Sequence, residues 1–149
     1  MSLSKQLLAK KNRPAVVTDL VDVVRQEVAD KKGMSGAGLK AGYATATKVM
    51  PDLVRKAVRR LLPDAAVALD PFWDRFVAEG GSDFGAYLAQ HGAQVSAALL
   101  AITDARAEAS SKEALKKVYR ALRGKADTHV QAALPRLGAT LQKHAAREA

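Results

Sequence analysis

Basic side chains recur at helical spacing in two stretches of the chain, and these side chains could bind an anion. The first basic row consists of Arg55, Lys56, Arg59 and Arg60. The second basic row consists of Lys112, Lys116, Lys117, Arg120 and Arg123. With about 100° between successive residues, the first row covers roughly 140° and most of the second row falls within roughly 80°. Such rows can hold phosphate oxygens along a nucleic-acid backbone or at an anionic lipid surface.

The alternative interpretation of both rows is a solvated outer face, which every helix of a soluble protein needs. An acidic segment, residues 63–83, contains five carboxylates and a single cation, Arg75. This segment could neutralise one basic row within the molecule or across a homodimer. Base-specific recognition of DNA is not expected, because the basic rows lack the Asn and Gln side chains that read base edges. Any contact with nucleic acid should therefore be to phosphates.

Five of the seven aromatic side chains lie within sixteen residues of one another, and a histidine follows them. We call this set the aromatic cluster, which consists of Phe72, Trp73, Phe76, Phe84, Tyr87 and His91. In a chain otherwise rich in Ala, Val and Leu, the cluster predicts the densest packing in the core. A second interpretation is a pocket for an apolar ligand with polar groups at its rim.

Residues that could catalyse a reaction or bind a metal do not occur in a suitable pattern. The chain has no cysteine, which excludes disulfides, Fe–S clusters, thiolate zinc sites and thiol catalysis. Its three histidines lack the spacing of metal ligands. The glycine-rich residues 35–42 lack the context of a phosphate loop, and no nucleophile elbow is present. We therefore expect no catalytic residue, no metal and no cofactor, and hence not an enzyme.

Apolar residues recur with the period of an α-helix along most of the chain and with the period of a strand nowhere. This pattern predicts a helix over residues 14–31. Ser35 is expected to cap a second helix that runs to about Met50. Pro51 is expected to open a third helix, which Pro63 ends or kinks.

Further boundaries follow from proline, glycine and serine. Asp70 before Pro71 predicts the start of another helix. The two glycines at 80–81 predict a loop. A cap at residues 82–83 predicts one long helix that ends near Ala109.

The remainder of the chain predicts two more helical segments. Residues 110–111 are expected to break the preceding helix, Gly124 to form a joint, and Pro135 to kink the last helix. The 149 residues fit one domain. We therefore predict a single all-α domain over residues 1–149, a bundle of six to eight helices, several of them kinked by proline, with no sheet. Residues 1–13 are interpreted as a loosely attached basic arm.

Three stretches resemble a family of small helical actinobacterial proteins of unknown function. These stretches are residues 30–36 (DKKGMSG), 69–73 (LDPFW) and 103–106 (TDAR). The similarity covers most of the chain and agrees with an alanine-rich composition typical of a GC-rich genome. It implies a helical fold, and it implies no activity, cofactor or catalytic residue.

The functional prediction is a non-catalytic cytoplasmic binding module whose basic helical faces contact a polyanion, foremost a nucleic-acid backbone. The net charge of +9 supports this prediction. One alternative is a protein–protein interaction scaffold, such as a homodimer in which the acidic segment faces a basic row. A second alternative is a small domain that binds an apolar ligand at the aromatic cluster. No apolar run approaches the ~20 residues of a membrane span, and the N-terminus lacks a secretory signal.

Overall fold

The computed structural model describes residues 2–146, except for the side chains of residues 34, 35 and 146. These residues form seven helices and no strand. The helices are α1 (Leu3–Leu8), α2 (Arg13–Asp30), α3 (Gly33–Val49), α4 (Leu53–Ala78), α5 (Phe84–Gln90), α6 (Gly92–Ala109) and α7 (Glu113–Ala146). The prediction of an all-α bundle of six to eight helices is confirmed.

Helices α4 and α7 are the two long elements around which the others pack. Helix α7 contacts α1, α2, α3, α5 and α6, whereas α4 packs mainly against α1, α2 and α6. Helix α5 crosses α7 in backbone contact: a Cβ at Gly138 would lie 2.4 Å from Cα of Gly85, and a Cβ at Gly85 would lie 2.3 Å from the carbonyl oxygen of Pro135. Glycine at both positions is therefore required for this crossing.

The hydrophobic core is concentrated at one end of the bundle, which we call the packed end. The packed end consists of α1, the start of α2, residues 62–78 of α4, α5, and residues 129–146 of α7. Phe84, Leu88, Leu134 and Leu3 are completely buried there. At the opposite, open end lie α3, residues 53–61 of α4, the end of α6 and residues 113–128 of α7, whose described apolar side chains are half-buried or exposed.

Helix α4 continues through both of its prolines. The prediction that a new helix begins at Asp70 and Pro71 is wrong, and Pro63 does not end its helix either. Proline removes a backbone hydrogen bond from a helix. Five buried side chains at helical spacing keep α4 continuous nevertheless, and these are Leu62, Ala66, Leu69, Phe72 and Phe76.

Asp70 stabilises another helix instead of its own. Its carboxylate accepts hydrogen bonds from the backbone N–H of Ser4 at 2.8 Å and from the Ser4 hydroxyl at 2.6 Å. Because the first N–H groups of a helix have no partner within it, Asp70 acts as a cap for α1. Leu3 and Leu7 of α1 are fully buried. The expectation of a loosely attached arm is therefore wrong for residues 2–13, and Met1 lies outside the described residues.

Three further boundaries differ from the prediction. The long helix expected to end at Ala109 is interrupted at His91, between α5 and α6, while Asp83 caps α5 as expected by accepting from the N–H of Ala86 at 3.0 Å. Gly124 is not a joint, because α7 runs through it. Helix α3 begins two residues before Ser35, at Gly33, where φ is +76°.

Candidate anion-binding surface

The first basic row lies on the exposed side of α4 at the open end, and all four of its side chains are exposed. Residues four apart on a helix share a side, so the row divides into two pairs. Arg55 and Arg59 face the corner between α1 and α2. Lys56 and Arg60 face the end of α6 and the start of α7.

The pair Arg55 and Arg59 lines a cavity of about 320 Å³, which we call the basic cleft. Two more cations, Lys10 and Arg13, line it from the turn between α1 and α2. Its apolar wall consists of Leu8, Pro14 and Val17. The described residues that line the basic cleft include no carboxylate. The four cations therefore face one another without a compensating charge inside the cleft.

The turn that carries Lys10 and Arg13 is held by hydrogen bonds. The Asn12 side-chain amide donates to the carbonyl of Gln6 at 2.9 Å, and the Arg13 N–H donates to the carbonyl of Ala9 at 2.9 Å. On the facing side, Arg55 donates to the Thr18 hydroxyl at 3.3 Å. The basic side chains thus project from a fixed backbone, which lowers the ordering cost of binding an anion.

Lys10 and Arg13 are not among the anion-binding residues that the sequence predicts. Their only signal in the sequence is the presence of three basic residues at positions 10–13, within the segment expected to form a loose arm. That segment becomes part of a site only because Leu7 and Val17 bury this corner against the rest of the bundle.

The pair Lys56 and Arg60 lines a larger cavity of about 540 Å³, which we call the open groove. Arg106 and Lys112 line the same groove, whose apolar floor includes Leu61. Two carboxylates compensate part of this charge. Asp52 lies 3.3 Å from the ammonium of Lys56, and Asp64 lies 3.1 Å from the guanidinium of Arg106. The two basic rows therefore meet at this groove, through Lys112.

The rest of the second basic row is largely neutralised. Arg123 makes a two-pronged contact with the carboxylate of Asp104, at 2.8 and 3.1 Å, and the hydroxyl of Tyr119 donates to the same carboxylate. The hydrogen bond from Arg123, and to a smaller extent the one from Tyr119, holds the pKa of Asp104 below its usual value. Glu113 lies 3.9 Å from Lys116 and 4.0 Å from Arg120. Lys117 is exposed and has no ion pair in the described part of the chain.

The acidic segment does not neutralise either basic row within the molecule, as far as residues 2–146 show. Asp64 pairs with Arg106, which belongs to neither row, Asp70 binds Ser4, and Asp83 caps α5. Asp74 is exposed and forms no ion pair with any described residue. The carboxylates at this end of α4 thus leave the cations of the basic cleft uncompensated.

The aromatic cluster is packed ring against ring. Trp73 meets Phe84 edge-on at 5.0 Å between ring centroids, Phe76 lies 5.1 Å from Phe84, and Tyr87 lies 4.6 Å from His91. Phe72 is also buried and contacts the guanidinium of Arg75. The cavities described above lie away from these rings, so the geometry favours the packing interpretation of the cluster.

His144 is the most buried titratable side chain among the described side chains of α7. It is 1% exposed, and its Nε2 lies 2.7 Å from a carboxylate oxygen of Asp19, which also contacts Lys143 at 3.1 Å. Within residues 2–146, no group of three acidic or histidine side chains could hold a metal ion. Over the same residues, every helix is too short or too polar to serve as a membrane-spanning segment.

The fold and this surface define a small all-α bundle with a concentrated basic face. The chain belongs to a family of unknown function, DUF6918, whose sequence model matches residues 3–145. Comparison with curated proteins and with solved structures finds no match. The expected resemblance to a family of unknown function is confirmed by this finding, while its actinobacterial origin stays a prediction.

Proposed function

We propose that the protein is a non-catalytic module that binds the phosphate backbone of nucleic acid at the basic cleft. The observation that supports this proposal is the composition of the cleft, whose lining holds four cations and, among the described residues, no carboxylate. Cations that face one another repel, and a bound polyanion removes that repulsion. The same charges accelerate the approach of a polyanion.

The identity of the cations fits phosphate. Three of the four are arginines, Arg13, Arg55 and Arg59, whose planar guanidinium can donate two parallel hydrogen bonds to phosphate oxygens. Because Arg55 and Arg59 are one helical turn apart while Arg13 lies on another element, the three approach the cleft from two sides. A phosphate in the cleft would therefore be contacted from both walls.

The apolar residues that line the rest of the basic cleft predict contact with the nucleic-acid backbone and not with bases. Leu8, Pro14 and Val17 provide neither the amide groups that read base edges nor the aromatic rings on which single-stranded bases stack. Binding should therefore be insensitive to sequence and should weaken steeply with salt, because each neutralised phosphate releases counterions. Lys112 places further positive charge in the neighbouring open groove.

The experiment is fluorescence anisotropy with a short duplex of random sequence, at salt concentrations between about 50 and about 200 mM. The variant R55Q/R59Q removes two cations of the cleft, and we expect an affinity loss of roughly tenfold or more and a salt slope shallower by about two. The matched control K117Q/K125Q removes two exposed lysines of α7 outside the cleft and should change affinity far less.

Two results would overturn the proposal. One is the absence of duplex binding by the wild-type protein at low salt. The other is an equal loss in R55Q/R59Q and in K117Q/K125Q, which would mean that net charge alone governs binding. Association with anionic lipid vesicles in the absence of duplex binding would assign the cleft to a membrane surface instead.

A further inference from the structure

The outward face of α4 carries a stripe of exposed residues with opposite charge at its two ends. We call it the α4 stripe, which consists of Lys56, Arg60, Asp64, Val67, Pro71, Asp74 and Ala78. These positions recur every three or four residues, so they share one side of the helix. The first two are cationic, Asp64 is acidic but pairs with Arg106 of α6, Val67 is 58% exposed, and Asp74 is acidic and exposed.

This pattern is complementary to itself when the direction of the helix is reversed. Arg60 lies seven positions before Val67 and Asp74 lies seven positions after it. Pro63 and Pro71 are likewise four positions before and after it. A parallel pair of such helices would place like charges opposite each other, whereas an antiparallel pair places opposite charges together.

We propose that the α4 stripe is a homodimer interface, in which two copies pack their α4 helices antiparallel about a two-fold axis level with Val67. In this arrangement Arg60 lies opposite the partner's Asp74, and each Val67 packs on the partner's Val67. Such an interface is isologous, since the same surface of both copies takes part. This inference concerns assembly and goes beyond the proposed binding of nucleic acid.

The charges of the stripe favour a second copy over an unrelated partner. Neither Arg60 nor Asp74 has an ion pair with a described residue of its own chain, and both are exposed. An unrelated partner would need its own acidic and basic segments at the same separation. The antiparallel copy supplies both segments at the required separation by symmetry.

The size of the stripe predicts a weak dimer. From Lys56 to Ala78 the helix rises ~33 Å, and a single helix is ~10 Å wide. This surface covers only about 330 Å² of each copy, below the ~800 Å² per partner of a standard interface, so we expect a weak, transient dimer. Because ion pairs occupy both ends, raising the salt concentration should promote dissociation.

The arrangement has a consequence for binding, which rests on the proposed function. Rotation about an axis that lies in the interface, perpendicular to α4, keeps both basic clefts on the same side of the dimer. Since Arg55 and Arg59 are centred ten residues before Val67, the two clefts would be separated by ~30 Å along α4. This distance is close to one turn of a DNA duplex, so the dimer could bind one duplex at two points.

The first test uses disulfide trapping, for which the chain is suited because it has no cysteine of its own. Helices in contact are ~8–10 Å apart, which brings directly opposed Cα atoms within reach of a disulfide. Under mild oxidation V67C should form a covalent dimer and A78C alone should not, whereas a mixture of K56C and A78C should cross-link. Cross-linking of A78C alone together with failure of V67C would overturn the antiparallel arrangement.

The second test is a charge exchange followed by sedimentation equilibrium. We expect R60E or D74R alone to weaken the dimer by roughly tenfold, because each places like charges opposite each other. The double variant R60E/D74R should restore it, and K117E should leave it unchanged. A wild-type protein that is monomeric at all concentrations, or a double variant no better than the single ones, would overturn the proposal.

The two proposals fail separately in these experiments. D74R leaves every residue of the basic cleft in place. If D74R is monomeric and still binds the duplex, the proposed function holds whatever the state of the dimer. If the protein dimerises but binds no duplex, the α4 stripe is still an interface and the proposed function is wrong. Circular dichroism of each variant confirms folding, which exposed substitutions should leave intact.

Discussion

The packed end and the open end are built from the same two long helices, yet they differ in how completely they bury their side chains. At the packed end, α4 and α7 enclose aromatic rings and leucines that are almost fully buried, such as Phe84 and Leu134. At the open end, Leu61 and Leu115 are only half-buried and border cavities whose rims are basic. Stability is therefore concentrated at the packed end, whereas the basic cleft lies where the two ends meet, between the α1–α2 turn and residues 55–59 of α4.

The largest predicted effect is a loss of stability, which should be much greater when an apolar side chain is truncated at the packed end than at the open end. Phe84→Ala removes a fully buried ring that contacts Trp73, Phe76 and Tyr87, and should lower the free energy of unfolding by about 3–5 kcal/mol. Leu115→Ala at the open end removes a half-buried side chain and should cost about 1 kcal/mol. Urea denaturation followed by circular dichroism measures both values.

Equal losses at Phe84 and Leu115 would contradict the contrast between the ends. If Phe84→Ala does not fold, Phe84→Leu retains most of the apolar volume and should lower the free energy of unfolding by a smaller, measurable amount.

A smaller effect is predicted at Asp70, which joins α4 to α1 at the packed end. Asp70→Ala removes the acceptor for the N–H and the hydroxyl of Ser4 and should destabilise the protein by about 1–2 kcal/mol. In the double variant with Ser4→Ala the two losses should add only in part, because Ser4→Ala removes the hydroxyl bond that Asp70→Ala also breaks and leaves the backbone N–H in place. Fully additive losses in thermal unfolding would show that Asp70 does not act through the Ser4 hydroxyl.

The helical character of the chain could be predicted because it depends on local periodicity. The boundaries that were wrong depend on contacts between distant residues. Asp70 and Pro71 have the sequence of a helix start, but the core contacts of Leu69 and Phe72 keep α4 continuous. Similarly, the interruption at His91 leaves Gly92 against Gln131 of α7, a close approach that the sequence of α6 alone does not reveal.

The candidate site could be predicted only in part for the same reason. The first basic row was evident from spacing within one helix. Its most informative neighbours, Lys10 and Arg13, come from a turn that folds back over α4, and no local pattern connects positions 10 and 55. For the second row, the pairing of Arg123 with Asp104 could not be predicted, because it requires the packing of α6 against α7.

The smallest predicted effect concerns the pH dependence of that compensation. Because hydrogen bonds from Arg123 and Tyr119 lower the pKa of Asp104 in the folded state, its ionised form stabilises the fold. This stabilisation is present above the ordinary carboxyl pKa of 3.8 and is lost as the pH falls through the lower folded-state pKa. Asp104→Asn should therefore be less stable than the wild type at neutral pH, and the difference should disappear in acid.

The measurement is the midpoint of urea denaturation at a series of pH values. Glu108→Gln is the matched control, because Glu108 lies one turn after Asp104 on the same helix and forms no ion pair with a described residue. Its midpoint should follow that of the wild type throughout. A constant difference between Asp104→Asn and the wild type at every pH would mean that packing and not ionisation explains the role of Asp104. In that case Asp104 would not neutralise Arg123 effectively. The second basic row would then differ less in charge from the basic cleft than the ion pairs indicate.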